Sequence, residues 1–501
     1  MTQAVESDPG GAPPDEGRRE RRLRLLLGAV LAFVGLRLWV VPLGEGLWLD
    51  ETGTAFVVRA GADEVVARSL RYQGQSPLYY LLAWASIRLL GWSEVALRLP
   101  SLLALGAALG LVWRLAARAW GPEAGLIAAG VLAVGLGPAG ADARPYALAL
   151  ALVTGSSLAL VRWVERPGPG RGLLWALLAG LTVWAHFLFG AALVAQAAWV
   201  LHRRRAAGPA GAPSWPQLLL PAGAALLLLL PCLGQLLWLW GRRASLVLVP
   251  RPAPHDLLQA LVPSTLAGGL VLGLALAWLL ARSRGGLGLE APRDPAPARL
   301  ALAWHLTPPG CLFAASWLGD ASLFVPRYWL SALPGTALLL AAALGALRPR
   351  AAGTVAGLAL VVAGLGGAQA RMDDWRWELE QVRAAATPGA PVIMPSHLVE
   401  SLDPALLQDP AWRDWLLAPL AAYPLAPGTE VLLLPRDPEA CSPQRLEQVA
   451  SRVLTASRAV IVRGEWVACR LEARLAPLGW TARRITGPRQ GLVTVLEAPP
   501  R

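Results

Sequence analysis

Residues 18–51 read RRERRLRLLLGAVLAFVGLRLWVVPLGEGLWLDE. A run of arginines is followed by an apolar stretch from Leu23 to about Leu43, and the adjacent carboxylates Asp50 and Glu51 come seven residues later. A basic flank ahead of a long apolar run, with no small-residue cleavage site, reads as a spanning helix whose N-terminus stays in the cytoplasm. Asp50 and Glu51 then lie on the far side of the membrane. Ionised groups beside a bilayer are costly to keep dry, so they point to chemistry or to partners.

The rest of the chain fits this opening. Of 501 residues, 55% are hydrophobic and only 16% charged, against about 25% charged in an ordinary soluble domain. The net charge of +12 would be compatible with nucleic acid, but the arginines sit in short loops between apolar runs, the positive-inside pattern. Nucleic acid is therefore excluded as a partner, and the bilayer is the expected one. The chain has no lysine, a bias of composition rather than of function.

Ten further apolar runs follow the first: 98–113, 124–139, 146–161, 173–184, 187–201, 218–240, 257–280, 300–318, 329–347 and 352–368. Arginine-rich loops fall on every second connection, at Arg114/Arg118, Arg162/Arg166/Arg171, Arg203/Arg204/Arg205, Arg282/Arg284/Arg293 and Arg348/Arg350. Arg242, Arg243 and Arg251 break the alternation and are outvoted. The expected fold is an all-α polytopic membrane protein of about eleven transmembrane helices, multi-pass in the cell membrane. The segment 77–91 is apolar but short, and counting it as a span would spoil the alternation. It reads as a helix lying along the outer surface, inside a first external loop of 44–97.

Three regions result. Residues 1–22 form a basic cytoplasmic N-terminus, disordered up to about Gly17. Residues 23–370 form the transmembrane domain. Residues 371–501 turn polar, with β-like runs at 391–394, 431–434, 459–462 and 492–496 and helix-like stretches at 442–454 and 469–477. That alternation predicts a small extracytoplasmic α/β domain, a lid or scaffold. Cys232 and Cys311 read as core residues, and Cys441 and Cys469 leave a disulfide open.

Several chemistry-bearing residues share the outer level: Asp50, Glu51, Asp142, Arg144, Tyr146, His186, Arg327 and Tyr328, with Tyr79, Tyr80, Glu94 and Arg98 in or beside the external loop. Each has an ordinary reading alone. Arginines snorkel, tyrosines anchor at interfaces, and Glu94 with Arg98 has the spacing of a local i,i+4 pair. Together they fit group transfer from a phosphate-linked donor. A phosphate leaving group needs positive charge rather than an acid, which Arg144 and Arg327 supply. An acceptor hydroxyl needs one base, Asp50 or Glu51. A glycosidase would want a carboxylic acid as well. Asp142 would orient the acceptor or help hold a divalent cation, which the sequence permits without requiring, so the cofactor is left unknown.

At these residues the chain resembles the GT-C superfamily of polyprenyl-phosphate-sugar-dependent membrane glycosyltransferases. The nearest branch is that of family-39 protein O-mannosyltransferases and lipid A aminoarabinose transferases. The resemblance rests on Trp48-Leu49-Asp50-Glu51, Gln75-Ser76-Pro77-Leu78-Tyr79-Tyr80, Glu94–Ser101, Asp142-Ala143-Arg144-Pro145-Tyr146 and Pro326-Arg327-Tyr328. Gln75 and Ser76 stand where the family commonly has His and Pro. The resemblance implies an extracytoplasmic site and inversion at the anomeric carbon. Asp50 would be the base, with Glu51 and Asp142 supporting it, and Arg144 and Arg327 would hold phosphate. Tyr79, Tyr80, Arg98, Tyr146, His186 and Tyr328 would line the substrate. The donor would be a polyprenyl-phosphate-linked hexose or pentose, and the acceptor a lipid, glycan or protein of the cell envelope. A transporter or flippase is the competing reading, but its ionisable groups belong at mid-membrane rather than at helix ends.

Overall fold

The computed structural model describes residues 14–207, 213–241, 249–282, 286–291, 294–319, 321–366, 371 and 373–500. A helix coincides with each of the eleven apolar runs. Six are long and apolar enough to cross a membrane by length and composition: Glu20–Gly44, Glu94–Trp120, Pro122–Ala141, Tyr146–Glu165, Trp215–Gly241 and Pro326–Gly345. A pair bent by 48°, Pro254–Leu261 with Leu266–Arg282, would make a seventh. Pro169–Ala185, Ala191–Ala207 and Arg350–Gly366 have 17 residues each. At 1.5 Å per residue such helices reach about 25 Å, short of a hydrocarbon core of about 30 Å.

The first helix begins at Pro14, so the basic run is helical and the expected disorder up to Gly17 does not hold at its end. Residues 1–13, and the loop arginines Arg242, Arg243, Arg284 and Arg293, lie outside the described residues. The helix bundle is closed by small side chains. A Cβ on Gly273 would meet the Ala356 carbonyl oxygen at 2.5 Å, and one on Gly357 would meet Ile127 at 2.6 Å. Such contacts let helix backbones approach closely where no water drives them together.

One end of the bundle carries a layer of short helices, Leu49–Val58, Ala62–Arg68 and Leu78–Leu90. The last matches the surface helix expected at 77–91. It buries Tyr79, Tyr80 and Ala83 and leaves Leu82, Leu89 and Leu90 exposed. Against this layer packs the C-terminal region. The strands in chain order are β1 (Gly288–Leu289), β2 (Leu347–Arg348), β3 (Val392–Pro395), β4 (Val431–Leu434), β5 (Arg458–Val462), β6 (Thr481–Thr486) and β7 (Leu492–Glu497). β1 and β2 form a small antiparallel bridge, and the other five make one sheet in the order β4-β3-β5-β7-β6. Its first three strands run parallel, while β7 is antiparallel to both β5 and β6.

Helices Pro443–Leu454 and Glu465–Leu475 flank the sheet. β6 was not among the expected strands. It is an exposed edge of sequence TARRIT, protected by arginine rather than marked by apolar residues. All four cysteines are free, with Cys441 buried and Cys469 exposed. The α/β region and the loop between the first and second apolar spans share one apolar core, in which Leu47, Phe56, Tyr79 and Leu97 meet Trp375, Trp412, Trp415 and Val460. The α/β region is thereby fixed against the helix that carries Asp50 and Glu51.

Candidate active site

Trp48 is extended and starts the helix Leu49–Val58, placing Asp50 and Glu51 in its first turn. Carboxylates are favoured there by the helix dipole. Glu51 Oε2 accepts the Trp48 backbone N–H at 3.3 Å, so one carboxylate caps the helix that carries both. Successive helix residues point about 100° apart, and the two carboxylates part company accordingly.

Glu51 faces inward and is fully buried. Arg98 grips it through Nε to Oε1 at 2.7 Å and Nη2 to Oε2. The other Arg98 donors go to the carbonyls of Leu43, Glu45 and Gly46. All five guanidinium hydrogens are thus committed. Ala143 N–H also donates to Glu51 Oε1 at 2.8 Å. Burial opposes the charge on Glu51, but Arg98, Arg371 and the Ala143 N–H outweigh it and hold the carboxyl below its usual range. Glu51 and Arg98, expected beside the reacting groups, instead form a sealed pair. Nor does Arg98 meet Glu94, which accepts the Tyr423 hydroxyl at 2.9 Å and lies 3.4 Å from Arg376.

Asp142 is likewise engaged away from the opening. Arg371 Nε donates to its Oδ1 at 2.7 Å, and burial, reinforced by Glu51, pushes its carboxyl up to about 7 despite Arg371. The segment after Asp142 is tied to the loop helix by the Thr54 hydroxyl, which donates to the Ala143 carbonyl at 2.7 Å. That bond delivers Arg144 to Asp50.

Asp50 faces the rim. Its Oδ2 lies 3.6 Å from Arg327 Nη1, too far for a hydrogen bond. Arg144 Nη1 donates to the Asp50 backbone carbonyl at 3.2 Å and to Gln73 Oε1 at 2.8 Å. Asp50 Oδ2, Arg144 Nε, Arg327 Nε and Gln73 Nε2 are buried without partners. Two guanidinium groups with spare donors therefore meet at Asp50, one on its backbone carbonyl and one beside its carboxylate, which keeps a spare oxygen.

Aromatic rings line the same place. Arg144 lies 5.9 Å from the Tyr146 ring centre and Arg327 lies 5.6 Å from that of Tyr328. His186 packs among Tyr146, Phe189 and Tyr328 at 4.9–5.8 Å. Both its ring nitrogens are buried without partners. Burial, helped by the two arginines, lowers it to about 3, so the ring is neutral. The Tyr80 hydroxyl is also buried and unpartnered; burial pushes it up to about 12. Tyr79 is used internally: its hydroxyl pairs with Ser101 at 2.8 Å, and Ser101 donates to the Arg144 carbonyl at 3.2 Å.

Of the expected site residues, the rim therefore gathers Asp50, Arg144, Arg327, Tyr80, Tyr146, His186 and Tyr328. Glu51, Arg98, Asp142 and Tyr79 form the support beneath. Gln73 and Arg371 were not anticipated. Gln73 lies two residues before the Gln75–Tyr80 motif, and Arg371 marks the junction where apolar sequence gives way to polar. Among the described residues, no three His, Cys, Asp or Glu side chains converge as a metal site.

Residues 74–238 match the family model described as dolichyl-phosphate-mannose-protein mannosyltransferase. The fold is similar to that of ArnT from Cupriavidus metallidurans bound to undecaprenyl phosphate, with a TM-score of 0.56 at 16% identity over 94% of this chain and 97% of that one. The apo state of ArnT gives the same TM-score at 15% identity and the same coverage. The chain shares the fold of ArnT. No curated protein matches the chain in sequence. The GT-C resemblance read from the motifs is borne out, and the protein is a multi-pass membrane protein. The matched segment contains Tyr80, Arg144, Tyr146 and His186 of the GT-C rim, while Asp50, Arg327 and Tyr328 lie outside it.

Proposed function

We propose that the protein transfers a sugar from a polyprenyl-phosphate donor to an acceptor hydroxyl at the extracytoplasmic rim of the bundle, with inversion and with Asp50 as base. The observation that carries this reading is the meeting of Arg144 and Arg327, each with an uncommitted buried nitrogen, at Asp50, with Arg144 on its backbone carbonyl and Arg327 3.6 Å from a carboxylate oxygen that has no hydrogen bond. The acceptor oxygen attacks the anomeric carbon from the face opposite the phosphate. As the new C–O bond forms, the bond to the phosphate oxygen breaks and its electron pair leaves on polyprenyl phosphate. The hydroxyl proton passes to Asp50. Arg144 and Arg327 hold the phosphate as its charge grows, where charge-assisted hydrogen bonds in a partly dry site count most. His186, held neutral, offers one donor and one acceptor to a sugar hydroxyl. Glu51, Arg98 and Asp142 keep the frame in place rather than touching substrate.

The test is transfer of labelled sugar from polyprenyl-phosphate hexose and pentose donors to lipid, glycan and protein fractions of the cell envelope by the reconstituted full chain. Covalent product formed on the face that carries the C-terminal region supports the reading. Movement of intact lipid-linked sugar across the bilayer with no covalent product would replace the transferase by a flippase.

A further inference from the structure

A second opening lies on the other side of Asp142. The first span is α-helical to Gly35, then π-helical over Leu36–Val40. Single π turns inside α-helices mark places where a side chain is re-aimed, frequently at functional sites. Here Trp39 turns inward and donates its indole N–H to the Gly137 carbonyl at 2.8 Å. Arg37 turns outward and is exposed. It sits seven residues before Gly44, the end of the span, or about 10 Å along the helix axis. No acidic side chain among the described residues pairs with it. A charge at that depth needs a partner or a route to the headgroups.

Arg37 lines a cleft of about 190 Å³ together with Arg371, Arg489 and Glu45. Glu45 Oε2 bridges the other two arginines, 3.3 Å from Arg371 and 2.5 Å from Arg489. Arg371 Nη2 and Arg489 Nη1 remain buried without partners. Arg371 is buried as a whole, its side chain only 3% exposed. Arg489 has a left-handed backbone, φ +56°, a strained conformation for a non-glycine residue that tends to persist where function needs it. Three guanidinium groups therefore line the cleft with Glu45, and among the described residues only Arg371 of the three has a second carboxylate partner, Asp142. The cleft wall is otherwise apolar and includes Phe33 and Leu365. Phe33, Leu36, Val40 and Val41 on the same span are 50–66% exposed, the surface a bilayer would cover.

We propose that this cleft binds the phosphate-bearing headgroup of a membrane lipid, with its acyl chains lying along Phe33 and the exposed face of the first span. Guanidinium forks match phosphate oxygens two at a time. The site is distinct from the rim: Arg371 and Asp142 stand between them, and none of the cleft arginines touches Asp50. The inference rests on the membrane placement of the bundle and not on the sugar-transfer reading.

The experiment measures lipid retention by native mass spectrometry on the full chain in neutral detergent, titrated with dioleoyl phosphatidylglycerol or with dioleoylglycerol, which lacks the phosphate. The expected result is one phosphatidylglycerol held tightly and no comparable retention of dioleoylglycerol. Arg37→Gln and Arg489→Gln should each weaken it about tenfold, the loss of one charge-assisted contact. Arg37 is exposed, so Arg37→Gln leaves the fold intact and decides the matter even if Arg489→Gln is unstable. Inorganic phosphate at millimolar concentration should not displace the lipid. Equal retention by Arg37→Gln, equal retention of dioleoylglycerol, or displacement by inorganic phosphate would each overturn the proposal. So would loss of phosphatidylglycerol in Arg327→Gln, which would place the headgroup at the Asp50 rim instead.

Discussion

Glu51 and Asp50 are neighbours in the chain and opposites in the structure. Glu51 lies in a sealed knot in which every donor of Arg98 has an acceptor, and Asp50 lies in an open cluster in which two arginines and a carboxylate all retain unused capacity. A satisfied network fixes geometry and has nothing left to offer a substrate. An unsatisfied one is costly unless a ligand completes it. The sealed knot holds the helix start rigid so that the open cluster can stay open.

The sharpest way to break this comparison is to neutralise each carboxylate in turn. Asp50→Asn keeps the volume and removes the base. Sugar transfer should fall by roughly 10²–10⁴, the usual share of general-base catalysis, with no change in thermal unfolding or in membrane yield. Full activity in that variant would remove Asp50 from the chemistry. Glu51→Gln should do the reverse of a catalytic lesion. It strands Arg98 in a dry site, and breaking such a pair costs about 3–5 kcal/mol. The expected outcome is loss of folded protein, read as a collapse of the monodisperse peak in size-exclusion chromatography. A well-folded Glu51→Gln protein that is merely inactive would move Glu51 from the frame into the chemistry.

A smaller effect separates the two arginines of the rim from the one in the knot. Arg144→Ala or Arg327→Ala each removes one phosphate contact, worth about 1.5–3 kcal/mol for a charged hydrogen bond. Donor kcat/KM should drop by roughly 10- to 100-fold, while the KM for the acceptor stays near the wild-type value. Unchanged donor kinetics in both variants would mean that these side chains only reach for headgroups. Arg144 also holds Gln73 and the Asp50 carbonyl, so Arg327→Ala is the cleaner of the two measurements.

Much of this was legible in the sequence. Hydropathy located the helices because each carries an apolar run, whatever its length, and the β-like runs of the C-terminal region coincide with β3, β4, β5 and β7 because those strands are largely buried. The rim was legible because Asp50, Arg144 and Arg327 fall at helix ends on one side. What the sequence hid was pairing. Nothing in Asp50-Glu51 says which carboxylate turns inward; that depends on where the helix starts, at Trp48, and on Arg98 waiting 47 residues away. The spacing of Glu94 and Arg98 suggested a local pair, but Glu51, fully buried, takes the guanidinium, while Glu94, 15% exposed, finds Tyr423 and Arg376 instead. Arg371 looked like the first residue of a new domain and is instead the partner of Asp142. β6 escaped notice because an edge strand carries charge where an inner strand carries valine.

The α/β region holds a third carboxylate, between these two extremes, and it yields the smallest expected effect. Glu378 is buried, and neither of its oxygens has a hydrogen bond. Arg463 Nη1 lies 3.2 Å from Glu378 and 2.8 Å from Asp373. Asp373 Oδ2 in turn accepts the Leu49 N–H at 3.4 Å, one residue before Asp50. Burial raises the Glu378 carboxyl from 4.5 to about 8; Arg463 opposes the shift, and Asp373 and Asp374 add to it. Between those two values the folded protein holds a proton that the unfolded chain has lost, so stability falls as pH rises through the window. The contribution is fully present below about 4.5 and is lost as pH passes about 8. Glu378→Gln keeps the neutral form permanently and should flatten the decline in thermal midpoint between about pH 6 and about 8, the upper half of that window. Asp142, raised to about 7 by its own burial, contributes a decline of the same sign lower in the range and is untouched by that substitution. An unchanged slope in Glu378→Gln would show that Arg463 keeps Glu378 ionised, and that the α/β region, like the knot at Glu51, is held by a true ion pair.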